Sequence, residues 1–378
     1  RETMREIERM ALMLQQMAEA LVKTADLIEE ADREAAGFFE LEQIKVGGAK
    51  PPGLASPTRQ GGNLENTIRQ LLTNPPADPS QVLSELLDAI LSASPAERQA
   101  ILHDPQLMGL LTQGLGDYAP AVVAALLEGA LYWPGPSGPN PSNNYRIEGG
   151  SDFADWIRGG DENANKPNTR DSTMNCWEYV LYSTYIAGHI SYDELVTLHD
   201  DAANAGAAKA DELKNDSNAL PSAVDDYVDM RWEGAKSTYP GSKSDYRKDL
   251  DLTLQYYGTD LETATIEYNG SMAYYDSLKN SFGVNNAQSW YYDPTRHAPK
   301  RIPPAGSLIF FNGLDHVAIS MGTTDGNGNV EIMSLWVLPK DKDEQLVHTA
   351  QHTTIEYLLY QAKTEGMNMK VTYVQSPW

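Results

Sequence analysis

Residues 307–336 read SLIFFNGLDHVAISMGTTDGNGNVEIMSLW, and the alternation inside this stretch decides the fold of the C-terminal part. SLIFF (307–311), HVAISMG (316–322) and VEIMSLW (330–336) are short apolar runs bounded by turn residues, the signature of strands. TTDGNGN, with its Asp-Gly and Asn-Gly pairs, predicts a hairpin between the second and third. Downstream, TTIEYLLYQAK (353–363) predicts a short helix capped by Thr353 or Thr354, and MKVTYVQ (369–375) a fourth strand. Upstream, DSTMNCWEYVLYSTYIAG (171–188) has helical spacing in Trp177, Val180, Leu181, Tyr185 and Ile186 and stops at Gly188. Ser191 and Glu194 then form a capping box for a further helix. A helix ahead of an antiparallel sheet is an α+β pattern.

The lone cysteine sits at the start of that helix. Asn175 is the expected N-cap, so Cys176 falls in the first turn. Free N–H groups and the helix dipole there favour a thiolate, lower the thiol pKa and can hold a developing oxyanion. A thiolate nucleophile needs a base. Among seven histidines, His316 opens a strand after the turn Asn312-Gly313-Leu314-Asp315. Alternation puts His316, Ala318 and Ser320 on one face, and Val317, Ile319 and Met321 on the other. The apolar face is expected to be core, and the small-residue face to leave room for a helix end or a substrate beside the imidazole.

A base is oriented by a third polar group. An odd hairpin connection puts Ser334 on the His316 face with Val330, Ile332 and Trp336; an even one puts Met333 and Leu335 there. Ser334 is the candidate, and Glu178, in the first turn of the Cys176 helix, is a second polar residue near the site or a cap partner. Asn175, Trp177, Glu178 and Trp336 are the candidate substrate-binding or oxyanion residues.

The rest of the chain is organised differently. Met4, Ile7, Ala11, Leu14, Ala18, Leu21, Ala25 and Ile28 follow heptad spacing, predicting an amphipathic helix over 4–36 that needs a partner helix. VGGAKPPGLASPTRQGGN (46–63) reads as a linker, and 64–145 as a helical region. Within it QVLSELLDAIL, AERQAILHD and PAVVAALLEGALYW have helical spacing, with Ser94 and Glu97 as a capping box. PGPSGPNPSNNYR (134–146) is a second linker or belt. Between about 205 and 300 the chain is polar and tyrosine-rich: ten of its 20 tyrosines fall between Tyr227 and Tyr292. This reads as a loop-rich insertion with a wet surface.

Composition narrows the function. A formal net charge of -24 disfavours nucleic acid and anionic membrane as partners. No stretch approaches the roughly 18 apolar residues of a membrane span. With one cysteine, no disulfide forms within the chain. The alternating oxygens of Asp325, Asn327, Asn329 and Glu331 belong to a hairpin turn, since the remaining calcium-ligand spacing is wrong. His348 and His352 are four apart but lack the pattern of a zinc hydrolase. No metal or cofactor is implied.

N-C-W-E (175–178) resembles the Cys-Trp pair that opens the central helix of papain-like enzymes. P-P-A-G-S-L-I-F-F with H-V-A-I-S-M-G (303–322) resembles the strand pair of NlpC/P60-like members. Together with S-L-W, T-T-I-E and S-P-W, these motifs look like papain-like domains of bacterial polymorphic toxins. The resemblance covers about 125–200 and 300–378. It implies Cys176 and His316 as a catalytic pair in a domain over 146–378, and it leaves the third position open. The 1–45 segment is similar to helical export or pre-toxin modules. The implied protein is a toxin or effector, made in the bacterial cytoplasm and secreted or injected. It would cleave or transfer an amide of a protein or peptide(-glycan) substrate, with export machinery or a cognate immunity protein as partners. The alternative is a non-catalytic secreted cargo or interaction protein with a papain-like binding fold.

Overall fold

APAVVAAL (119–126) is apolar on every side, so its helix must be buried all round. In the computed structural model each of its eight residues is buried. The structure describes residues 64–73, 75, 79–133, 151–236, 239–256, 258–282, 288–289, 302–311, 316–336, 348–364 and 371–374. The chain divides into two compact units, 1–60 and 61–378, and all described residues belong to the second. The helix expected over 4–36 and the segments 46–63 and 134–146 lie outside the described residues.

Among the described residues four α-helices precede the buried one: α1 (Leu64–Thr73), α2 (Pro79–Ser92), α3 (Pro95–Leu102) and α4 (Pro105–Leu115). The predicted capping box is present on α3, where Glu97 N–H donates to Ser94 Oγ and Ser94 N–H to Glu97 Oε2. The buried helix is α5 (Ala119–Leu126). It stops short of the predicted LLEGALYW extension because Gly129 takes a left-handed φ of 71°, a conformation only glycine adopts freely. The chain then runs extended. Tyr132 N–H donates to Ser172 O and Met174 N–H to Tyr132 O, while Trp133 N–H donates to His348 O. This short segment therefore braces the turn ahead of Cys176.

The helices continue with α6 (Asp152–Gly159), α7 (Cys176–Ile186) and α8 (Tyr192–Asn215). Next come α9 (Ala219–Ala235), α10 (Lys243–Tyr256) and α11 (Leu261–Ser281). The expectation of a loop-rich, wet insertion is corrected here: the described residues between 205 and 282 are mostly helix. Its tyrosines follow helical rather than strand spacing, and several are buried. Tyr227 packs with Val224, Val228, Leu254, Leu261 and Ala264 in a small core of its own. Tyr274 and Tyr275 of α11 join the main core instead.

The sheet order is β1-β6-β2-β3-β4-β5, with antiparallel neighbours throughout. Its strands are β1 (Gln288–Ser289), β2 (Leu308–Phe311), β3 (His316–Thr324), β4 (Val330–Leu335), β5 (Ala350–Thr354) and β6 (Val371–Val374). The turn 324–330 is held as its sequence predicts. Asp325 Oδ1 accepts the N–H of Asn327 and of Asn329, so this carboxylate serves the turn. A bulge between Ser320 and Thr324 carries Gly322 at φ 72°, where a Cβ would come within 2.7 Å of Ala305 N. Helix α12 (Ile355–Thr364) follows β5, and Thr354 Oγ1 accepts the Tyr357 N–H as its cap.

Both faces of the sheet are covered. Leu308, Phe310, Val317, Ile319, Met321, Met333, Leu335 and Val374 share one core with α5 and α7. Ile309, Phe311, Ala318, Ile332 and Tyr373 pack with Ile355 and Leu358 of α12 on the other. The first core runs without a break from Leu64 to Val374, so the helical region and the sheet are built around the same apolar mass. Among the described residues no helix is long and apolar enough to cross a membrane.

Candidate functional site

The α7 start follows its sequence closely. Asn175 is the N-cap: its Oδ1 accepts the Glu178 N–H at 2.9 Å, and Glu178 Oε2 accepts the Asn175 N–H at 2.7 Å. This reciprocal box leaves the amides of Cys176 and Trp177 free to point at the cysteine sulfur. The backbone amides of Val317 on β3, Trp177 and Cys176 itself each favour the ionised sulfur. The thiol thus lies near the backbone of the residue that follows His316.

The electrostatics reverse one expectation. Cys176 is only 3% exposed, and burial pushes its thiol up to about 12. The amides of Val317, Trp177 and Cys176 pull the other way, and the charge of Glu178 adds to the rise. The expected lowering by the helix start is present but smaller than desolvation, so the resting sulfur is a thiol.

His316 is fully buried, and burial drives its imidazole down to about 3, so it rests neutral. Its Nε2 lies 3.0 Å from Ser334 Oγ. The indole of Trp336 stacks on the ring, with centroids 4.6 Å apart and planes 16° apart, and Phe311 packs on it at 5.4 Å. The other nitrogen, Nδ1, is buried without a hydrogen-bond partner. Ala318 pairs with Ser334 across the strands, which is the arrangement of an odd connection.

The structure therefore brings His316, Ser334 and Trp336 into one cluster and sets the Cys176 thiol beside its backbone. It does not join sulfur and imidazole: no hydrogen bond links Cys176 to His316. The expectation that the small-residue face opens toward the helix end is corrected. Val317, Ile319 and Met321 are the side chains that meet α7, and the His316 face packs under α12. The reason is volume: α7 brings large apolar side chains, and only the larger strand residues fill the space against them.

Three further candidates are placed away from a substrate surface. Trp177 is 1% exposed, stacks on Tyr275 of α11 at 5.7 Å and packs against Phe310 at 5.7 Å. The Asn175 side chain is committed to its cap, and the Glu178 carboxylate to Asn175 N–H and the Ser151 hydroxyl. Sequence reasoning missed the Val317 amide, which no side-chain pattern reveals. It also missed Ser151, whose position ahead of DFADW (152–156) marks it as an N-cap. His352 lies on β5 with its Nε2 3.2 Å from Glu331 Oε1, and not on a helix.

No family model, curated protein or solved structure matches this chain.

Proposed function

We propose that the chain is a thiol acyl-transfer enzyme: Cys176 is the nucleophile, His316 the base and Ser334 the group that orients the imidazole. The observation that carries this reading is the state of His316. One nitrogen is fixed by Ser334 and shielded by Trp336, while Nδ1 is buried with no partner, on a strand whose other face packs against the Cys176 helix. An orphaned buried nitrogen costs about 1–3 kcal/mol, and a catalytic role is one reason for a fold to keep that cost.

The imidazole packs on the α12 side of β3 and the sulfur on the α7 side, so the reaction requires a rearrangement that brings the two together. Nδ1 takes the thiol proton, the thiolate attacks an amide carbonyl, and the amides of Cys176 and Trp177 receive the oxyanion. His316 then protonates the departing amine, leaving a thioester. Water resolves it in a peptidase, amidase or deamidase, and an amine in a transglutaminase. The substrate is a protein or a peptide(-glycan). The biological role is that of a bacterial toxin or effector, secreted or injected, with export machinery and an immunity protein as partners. The papain-like resemblance of the Cys and His motifs supports this role.

Expression of wild type beside Cys176→Ala in bacterial cytoplasm, periplasm and a eukaryotic cell tests the reading. Toxicity in one compartment, lost in a variant that circular dichroism shows to be folded, is the expected result. Equal behaviour of the two chains everywhere contradicts it. The near-complete burial of the sulfur favours a second reading, a non-catalytic cargo or interaction module with Cys176 as a core residue, and that same negative outcome supports it.

A further inference from the structure

The Glu178 carboxylate serves two helix starts at once. Its Oε2 accepts the Asn175 N–H at the start of α7. Its Oε1 accepts the Ser151 hydroxyl at 2.9 Å, and Ser151 Oγ in turn accepts the Ala154 N–H at 3.0 Å as N-cap of α6. Both helix ends carry partial positive charge, so one acid complements two dipoles. A second tie lies alongside: Asp152 Oδ2 accepts the Thr173 N–H at 2.7 Å and the Thr173 hydroxyl at 3.0 Å. The turn 172–175, which delivers Cys176, is therefore fastened to the first residues of α6.

We propose that Glu178 is a positioning residue for the Cys176 site: it fastens this turn to α6 and, while ionised, sets a negative charge against the forming thiolate. The inference rests on the reading of Cys176 as nucleophile. The groups facing the carboxylate are Asp152 and Arg158 from α6, Tyr274 from α11 and Cys176 from its own helix. Burial drives the acid up to about 7, opposed by its bonds to Asn175 and Ser151 and by the charge of Arg158, while Asp152 adds to the rise. Around neutrality the carboxyl therefore exchanges between a neutral form and a charged form, and the charged form adds to the opposition that burial already sets against ionisation of the sulfur.

Glu178→Gln separates fastening from charge. Glutamine also closes a capping box: its oxygen accepts the Asn175 N–H, and its NH2 donates to Ser151 Oγ. The readout is the rate of Cys176 alkylation by iodoacetamide against pH, followed by intact mass. Wild type and Glu178→Gln should react alike below about pH 6. Above about pH 8 the variant should react about tenfold faster, the effect of one unit in thiol pKa. The inflection near pH 7 in wild type should be missing in the variant. Ser151→Ala removes a donor from the charged form and should move that inflection to higher pH. Superimposable profiles for folded wild type and Glu178→Gln overturn the inference. If Glu178→Gln does not fold, an inflection unmoved in Ser151→Ala overturns it instead. A reactive Cys176 with unaltered profiles refutes this inference alone. A wild-type Cys176 inert at every pH contradicts the nucleophile reading as well.

Discussion

The two faces of the sheet are equally covered but differ in chemistry. Against α5 and α7 the strands present Leu308, Phe310, Val317, Ile319 and Met333, with no titrating side chain among them. Against α12 they present Phe311, Ala318 and Ile332, interrupted by His316, Ser320 and Ser334, all with no exposure. The strand side chains of the first face follow from the hydrophobic effect alone. The second includes polar groups that a fold could replace with apolar ones at no loss, and one of them, His316 Nδ1, is unpaired. The difference singles out His316 and Ser334 as strand side chains that stability alone does not require.

The largest expected effect lies on the apolar face. Phe310→Ala should lower the free energy of unfolding by about 3–5 kcal/mol in urea titrations, because the ring is 1% exposed and packed on Trp177. A loss below about 1 kcal/mol breaks the comparison.

On the polar face the next effect is a pH dependence. The folded imidazole resists protonation down to about 3, whereas an unfolded histidine protonates from 6.5. Between these values the unfolded state binds more protons, so His316 makes stability fall as pH drops from about 6.5 toward 3. The double variant His316→Phe/Ser334→Ala should flatten that limb and stay within about 1 kcal/mol of wild type at pH 7, since both polar partners leave together. A wild-type acid limb that survives this replacement removes His316 as its cause.

Glu178 works with the opposite sign. Its folded carboxyl keeps a proton up to about 7, against a reference of 4.5. The folded state therefore binds more protons in that window, stability falls as pH rises through it, and Glu178→Gln should abolish the fall. Ser334→Ala alone should cost about 1–3 kcal/mol by orphaning Nε2. Thr354→Ala, which uncaps the helix over the polar face, should cost about 1 kcal/mol in thermal melts.

The capping boxes at Ser94, Asn175 and Ser191 were legible because each depends on residues three apart. The strand alternation around His316 was legible for the same reason: period two is local. Which face meets α7 was not, because that choice depends on the volume of side chains some 140 positions away. The 205–282 helices are not legible from their tyrosine content, because polar, tyrosine-rich composition is shared by wet loops and by helices that bury only part of their surface. The raised thiol was misread because a helix start is visible in sequence and burial is not.

The central claim is that Cys176 and His316 act on one proton. Its most direct measurement is the rate of Cys176 alkylation at about pH 6 in wild type and in His316→Gln. The account predicts a measurable wild-type rate that falls at least about tenfold in the variant, as expected when the imidazole supplies the base. Equal rates, or a sulfur that fails to react in either chain while both stay folded, would contradict it.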